Sequence, residues 1–218
     1  MGDVISLADR RARKASGKAG GRGVTTAAFH FDLACPFSYL ALERVERLLP
    51  GVRWRPTIAD ALHRGDPWAD DAAGAVAREA AERRAQELRL PLSWPAEPAR
   101  AARGAMRAAH HAGELGRGGE FALAAARLAY CGGFDLNDPE VLAEAAAAAG
   151  IPLDTCLRAA GDVARDGPLE QAGRRLLASG ADRLPAIRVG RVLHCGEAQV
   201  AQAAAVLRAP TQTGIALH

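Results

Sequence analysis

The stretch Phe29-His-Phe-Asp-Leu-Ala-Cys-Pro-Phe-Ser-Tyr-Leu40 decides the fold of this chain. The apolar residues that alternate with others, as in a half-buried β-strand, are Phe29, Phe31 and Leu33. Cys35 and Pro36 follow, and proline suits the first turn of a helix because its missing N–H group would have no partner there. The stretch therefore predicts a strand over about 27–33 and a helix over 36–49, with Cys35 between them.

Cys35 is a candidate nucleophile because a helix start offers free N–H groups and a partial positive charge. Such a place can lower a thiol pKa from about 8.5 to roughly 3.5–7.5, and the thiolate is the species that attacks. The alternative is that Cys35 is a small buried core residue, which is the usual fate of a free cysteine. Ser38 stands where a Cys-X-X-Cys motif has its second cysteine, so Cys35 would act as a single thiol. Ser38 would either donate a hydrogen bond to the sulfur or cap the helix start.

Length and composition favour one globular domain with a full core, or one domain that carries a sizeable insertion. The chain has 218 residues, of which 49% are hydrophobic and 24% are charged. Its N-terminal stretch lacks the apolar segment of a secretory signal, and no later stretch is long and apolar enough to span a bilayer. We therefore expect a cytoplasmic protein without a membrane partner.

The sequence predicts a basic N-terminal tail over residues 1–24, with six basic and two acidic side chains among residues 1–23. Basic tails can bind nucleic acid or anionic lipid. A short segment rich in Gly, Ser, Lys and Arg is more often a disordered, solvated terminus. We expect a disordered tail and no nucleic-acid partner.

The cysteines show no metal-binding or disulfide pattern. They are far apart in the sequence and comprise Cys35, Cys131, Cys156 and Cys195. This spacing argues against a disulfide framework and against a structural zinc site. His194 precedes Cys195 directly, but adjacent residues of a strand point to opposite faces and make a poor chelate. We expect no metal.

The remaining elements follow the order β-α-β, helices only, then α-β-β-α. Val52–Pro56 alternates as a second strand, and two short antiparallel strands flank Gly190. Between them, residues 60–166 contain helical patterns and no convincing strand. The order predicts an α/β domain formed by residues 25–59 and 167–209, interrupted by an all-helical insertion over 60–166.

This order, with a cysteine after the first strand and Pro185 opening the third, resembles the thioredoxin fold. More narrowly, Phe31-Asp-Leu-Ala-Cys-Pro-Phe-Ser-Tyr-Leu-Ala41 resembles the DsbA-like family, on the branch of 2-hydroxychromene-2-carboxylate isomerases and kappa-class glutathione transferases. The stretch 134–142 is similar to the helical domain of that family. The resemblance covers roughly residues 27–208 and implies a thioredoxin-like α/β fold with a large helical insertion.

The resemblance also implies where a ligand would bind. It makes Pro185 a cis proline facing Cys35, although an ordinary trans X-Pro bond is the commoner case. The backbone of Leu184 would then pair with a peptide or glutathione backbone. In the glutathione-using branch, the glycine of the last turn is followed by a polar and acidic pair that holds the glutamyl end of glutathione; here Gly196 is followed by Glu197, which would replace the acid. The implied binding residues are Pro36, Phe37, Leu184, Pro185, Gly196 and Glu197.

The chain departs from both branches of that family. The resembled isomerases and transferases have serine in place of Cys35, and the oxidoreductases have a second cysteine in place of Ser38. Our first hypothesis is a DsbA-like thiol-disulfide oxidoreductase with Cys35 and Ser38 as catalytic residues. The alternatives are a glutathione- or thiol-dependent isomerase or transferase, similar to 2-hydroxychromene-2-carboxylate isomerase, and a non-enzymatic thioredoxin-like binding module.

Each enzymatic hypothesis implies a small-molecule thiol or disulfide substrate and no tightly bound cofactor. Glutathione or another low-molecular-weight thiol would be the co-substrate. The resembled families are often dimeric, which is compatible with a homodimer here.

Other polar residues are weaker candidates. His63, His110 and His111 could line a cleft between the insertion and the α/β domain, where a proton shuttle would suit isomerase chemistry. Each is more often a surface or helix-packing histidine. Asp32 and Glu43 lie near the Cys35 motif, and Glu43 is expected to be an exposed helix charge.

Overall fold

A computed structural model describes residues 27–62, 71–95 and 102–209. The tail over 1–24 and His63 lie outside the described residues. The strands are β1 (Ala27–Phe31), β2 (Arg53–Pro56), β3 (Ala186–Val189) and β4 (Val192–Cys195). The helices are α1 (Pro36–Leu48), α2 (Asp71–Leu88), α3 (Arg103–Glu114), α4 (Gly118–Tyr130), α5 (Pro139–Ala149), α6 (Leu153–Gly161), α7 (Asp166–Ala178) and α8 (Val200–Arg208).

The four strands form one mixed sheet in the order β2-β1-β3-β4. β1 and β2 are parallel and are joined through α1, which confirms the predicted β-α-β unit. β3 runs antiparallel to both β1 and β4. The turn between β3 and β4 is made by Gly190 with a φ of 59°, a conformation that favours glycine.

β1 ends at Phe31, so the predicted extension of this strand to Leu33 is wrong. The chain leaves the sheet because Asp32 organises a tight turn. Its carbonyl accepts the N–H of Cys35 at 3.1 Å, and its Oδ1 accepts the N–H of Ala34 at 2.9 Å. This turn places Cys35 directly at the start of α1.

The parts of 60–166 that the structure describes contain helices joined by loops and no strand, as predicted. Asp138 caps α5 by accepting the N–H of Glu140 at 2.8 Å, and Gly150 ends the helix with a φ of 67°. α6 ends at Gly161. None of the helices in the described ranges is both long and apolar enough to cross a bilayer.

The two faces of the sheet are covered by different helices. Phe29, Phe31 and Ile187 belong to the main core, together with residues of α1 and α8. This core continues into the helices of the insertion. On the other face, Leu176 of α7 packs with Ala186 in a second, smaller core. The predicted boundaries at 59–60 and 166–167 stay a prediction, since one core spans both parts.

Candidate functional site

Cys35 occupies the N-cap position of α1, where its backbone is extended with φ −98° and ψ 116°. Pro36 is the first helical residue, as the sequence predicts. The carbonyl of Cys35 accepts the N–H of Ser38 at 2.9 Å, which closes the first helical turn. The side chain of Cys35 forms no capping hydrogen bond with the helix. Its thiol therefore lies at the helix start without a capping role.

Burial, and to a smaller extent the negative charge of Asp32, raise the pKa of the Cys35 thiol to about 11. The N–H groups of Ser38 and Phe37 and the hydroxyl of Ser38 act in the opposite direction without offsetting the loss of solvation. The expected lowering of this pKa by the helix start is therefore wrong for the resting protein. At neutral pH the thiol keeps its proton.

The hydroxyl of Ser38 supports the turn before the helix. Ser38 is fully buried, and its Oγ accepts the N–H of Asp32 at 3.2 Å. Because a hydroxyl has one proton to donate, that proton remains available to the sulfur of Cys35. Of the two predicted uses, the hydrogen bond toward sulfur agrees with this geometry, and the cap of the helix start is wrong.

Asp32 is a buried carboxyl beside the thiol. Its Oδ1 accepts the N–H of Ala34 at 2.9 Å, and its Oδ2 accepts the N–H of Ala59 at 3.0 Å. Burial raises the pKa of this carboxyl to about 6, although the two N–H groups lower it. Asp32 is therefore mostly ionised at neutral pH, and its charge opposes ionisation of Cys35.

The Leu184–Pro185 peptide bond is cis, which confirms that prediction. Because β3 runs antiparallel to β1 and pairs Ala186 with His30, Pro185 lies at the same end of the sheet as Cys35. The carbonyl of Pro185 accepts the N–H of Gly196 at 2.7 Å. Within the described part of the chain, the backbone of Leu184 forms no hydrogen bond, although the residue is buried.

Glu197 does not have a free carboxylate for a ligand. It is 4% exposed and pairs with Arg44 of α1 and Arg84 of α2. These ion pairs connect the insertion to the turn after β4, whose Gly196 has a φ of 89°. The predicted role of Glu197 in holding a glutamyl group is therefore not supported by its position.

Pro36 is buried and Phe37 is half-buried against the main core, so both lie beside the thiol as expected. Glu43 is not the exposed charge that the sequence predicted. Its carboxylate pairs with Arg127 of α4 through contacts of 2.5 and 2.7 Å. This pair joins α1 to the insertion.

Tyr130, from the end of α4, is a site residue that the sequence did not reveal. Burial raises its pKa well above the ordinary value, and the charges of Cys35 and Asp32 raise it further, which places the phenol near both groups. Its ring stacks on Tyr39 with the centroids 5.5 Å apart. The chain has 2 tyrosines, Tyr39 and Tyr130. Their rarity is the one feature of the sequence that could have drawn attention to Tyr130.

The helical insertion also contacts the turn before Cys35. The N–H of Leu33 donates to Sδ of Met106 at 3.3 Å. The hydroxyl of Tyr39 donates to the carbonyl of Pro91 at 2.8 Å and lies 3.2 Å from Sγ of Cys131. The insertion therefore forms one wall of the site.

His110 lines a cavity of about 540 Å³ between α3 and the sheet, as predicted for the cleft between the insertion and the α/β domain. His111 is not part of the lining, and its Nδ1 lies 3.3 Å from Glu114. Neither Cys35 nor Pro185 lines this cavity. A proton shuttle at His110 would therefore act apart from the thiol.

Comparison with known proteins agrees with this geometry. The sequence profile of the DsbA-like thioredoxin domain matches residues 26–207. A solved 2-hydroxychromene-2-carboxylate isomerase superimposes with a TM-score of 0.69 and 16% identity, over 84% of this chain and 94% of that chain. A Streptomyces coelicolor structure described as a DsbA oxidoreductase superimposes with a TM-score of 0.67 and 20% identity, over 88% of this chain and 93% of that chain. No curated protein matches the chain. At these identities the structural likeness concerns the fold.

Proposed function

Because the chain belongs to the DsbA-like thioredoxin domain family, we propose that it is a thiol-disulfide oxidoreductase acting through the single thiol of Cys35. The observation that carries this proposal is the position of Cys35 at the start of α1, at the sheet end where Leu184 has an unpaired backbone. A disulfide whose flanking chain is extended can pair with Leu184 and present its sulfur to Cys35.

The exchange requires two steps. The sulfur of Cys35 loses its proton and attacks one sulfur of the substrate; the substrate S–S bond breaks, and the departing thiolate takes up a proton. An external thiol then attacks the substrate sulfur of the mixed disulfide, bonds to it and releases Cys35 as a thiol. Ser38 cannot replace this external thiol because it has no sulfur.

The raised pKa of Cys35 determines the pH dependence of this reaction. Below a pKa of about 11, the thiolate fraction increases about tenfold for each pH unit. We expect the exchange rate to increase from pH 7 to pH 10 with this slope.

The test is the exchange between glutathione and hydroxyethyl disulfide, measured with wild-type protein and with Cys35→Ser. We expect Cys35→Ser to show only the uncatalysed rate. The matched control is Cys131→Ser, which retains a hydrogen-bonding group beside Tyr39 and should keep most of the activity. Wild-type activity in Cys35→Ser would overturn the proposal.

A second candidate function is favoured by the same protonated thiol. A neutral Cys35 can donate a hydrogen bond to the thiolate of a bound low-molecular-weight thiol, which would then add to an electrophilic substrate in an isomerase or transferase reaction. This function requires binding of glutathione or a similar thiol, and the occupied carboxylate of Glu197 argues against glutathione itself. Calorimetry with millimolar glutathione separates the two, because only the second requires a stable complex.

A further inference from the structure

One face of the sheet is basic where a covered sheet face is usually apolar. The register pairs His30 with Arg55, and Ala28 with both Arg53 and Arg188. Partners directly opposite each other in neighbouring strands share a face. The strands β1, β2 and β3 therefore place a histidine and three arginines on the face that α7 covers.

α7 packs on only part of this face. Its Leu176 joins Leu184 and Ala186 in the smaller core, on the side of β3 and β4. Over β1 and β2 there remains a cavity of about 540 Å³, within the range of roughly 300–1,000 Å³ of small-molecule sites. Its chemically active lining residues are His30, Arg55, His110, Glu114, Arg175 and Arg188.

The arginines of the cavity have no acidic partner. No carboxylate of the described ranges lies within 4 Å of the guanidinium groups of Arg55, Arg175 or Arg188. Glu114, the one acid in the lining, is 2.9 Å from Arg165, which neutralises it. Elsewhere in the same region arginines are paired, as Arg107 is with Asp166 at 2.7 Å. The lining thus carries uncompensated positive charge.

The two histidines of the lining, His30 and His110, are affected by the same positive charge. His30 has its pKa lowered to about 4, first by burial and then by the charges of Arg188, Arg55 and Arg53. Nδ1 of His110 lies 3.1 Å from the guanidinium of Arg165 and 3.5 Å from Oε1 of Glu114, and burial, together with the charge of Arg165, lowers the pKa of this histidine. A neutral histidine of this kind is a hydrogen-bond donor for an anion.

We propose that this cavity is a binding site for a phosphorylated small molecule, whose phosphate oxygens are held by Arg55 of β2, Arg188 of β3 and Arg175 of α7. Guanidinium groups match phosphate geometry with two parallel hydrogen bonds, and converging arginines favour a group with more than one negative charge. The volume leaves room for an organic part beside the phosphate, against Pro56 and Ala172. The site is separate from Cys35, so its occupation does not depend on the function proposed for the thiol.

Inorganic pyrophosphate is the probe for a calorimetric titration at constant ionic strength, with citrate as a polycarboxylate comparator. We expect pyrophosphate to bind the wild-type protein at least tenfold more tightly than citrate does. The double variant Arg55→Gln/Arg175→Gln should weaken pyrophosphate binding at least tenfold. The matched control Arg174→Gln/Arg191→Gln removes the same charge from exposed positions outside the lining, and should bind within twofold of the wild type.

Absence of binding at millimolar pyrophosphate, tighter binding of citrate, or equal weakening in both double variants would overturn the proposal. A second measurement on the wild type avoids dependence on the folding of the variants. Pyrophosphate should protect Arg55, Arg175 and Arg188 from modification by phenylglyoxal, as read by peptide mass spectrometry. Protection of Arg174 and Arg191 to the same extent would contradict a defined site.

Discussion

The two faces of the sheet consist of alternate residues of the same strands, yet they differ completely in chemistry. One presents Phe29, Phe31 and Ile187 to α1 and α8 and is fully buried. The other presents His30, Arg55 and Arg188 to a cavity. Burial of apolar area stabilises the first face, whereas charge repulsion within the second is left uncompensated. The fold therefore depends mainly on one face, and the other is available for binding.

The largest expected effect tests the apolar face. Phe29 is 0% exposed, and Phe29→Ala should lower the free energy of unfolding by about 3–5 kcal/mol, because it removes the ring and leaves a cavity in the main core. Urea unfolding followed by circular dichroism measures this loss. Phe134→Ala is the matched control, because Phe134 is 51% exposed and its truncation should cost less than about 1 kcal/mol. Equal losses in the two variants would mean that this face does not dominate stability.

Much of this face could be predicted from the sequence, because alternation of apolar residues requires no knowledge of distant partners. The position of Cys35 before Pro36 was equally local and was predicted correctly. Leu33 was placed wrongly in the strand because the alternation continues past the point where the side chain of Asp32 turns the chain. The cis bond at Pro185 followed from the family resemblance.

The rest of the site depended on tertiary contacts. Tyr130 lies near enough to Cys35 for its pKa to be affected only because α4 packs on α1, and no local pattern encodes that docking. Glu197 appeared free for a ligand, since its partner Arg84 comes from a helix of the insertion. The raised pKa of Cys35 has the same origin: the helix start is a local feature, whereas burial of the thiol is produced by the whole fold.

A smaller effect tests the basic face through pH. Folded His30 has a pKa near 4, while the unfolded chain binds the same proton near 6.5. Between these values a proton favours the unfolded state, so stability should increase as pH rises from about 4 to 6.5. The gain is up to ~3 kcal/mol by linkage. It is measured as the difference in unfolding free energy between the wild type and His30→Gln across this range.

Asp32, just after the same strand, should show the opposite dependence of stability on pH and therefore serves as a control. Its folded pKa of about 6 lies above that of an ordinary aspartate, so its proton favours the folded state. Relative to Asp32→Asn, the wild type should lose stability as pH rises from about 4 to 6. The two contributions partly cancel in the wild type, which is why each must be read against its own variant. Slopes of the same sign for both residues would refute this account.

The smallest expected effect is also the most direct test of the difference between the apolar and the basic face of the sheet. Arg55→Gln removes one charge from a cavity where Arg188 is also unpaired, so it should leave stability unchanged or raise it by less than about 1 kcal/mol. Arg107→Gln is the control, because it breaks a two-bonded pair with Asp166 and should lower the free energy of unfolding by about 1–3 kcal/mol. The gain in stability from Arg55→Gln should shrink as salt is raised, since salt screens repulsion between partly exposed charges.

With saturating pyrophosphate, the wild type should become more stable than Arg55→Gln. An anion that binds the folded wild type more tightly stabilises it more than the variant. A clear loss of stability in Arg55→Gln without anion would show that this arginine supports the fold, and the division of the sheet into a structural face and a binding face would fail.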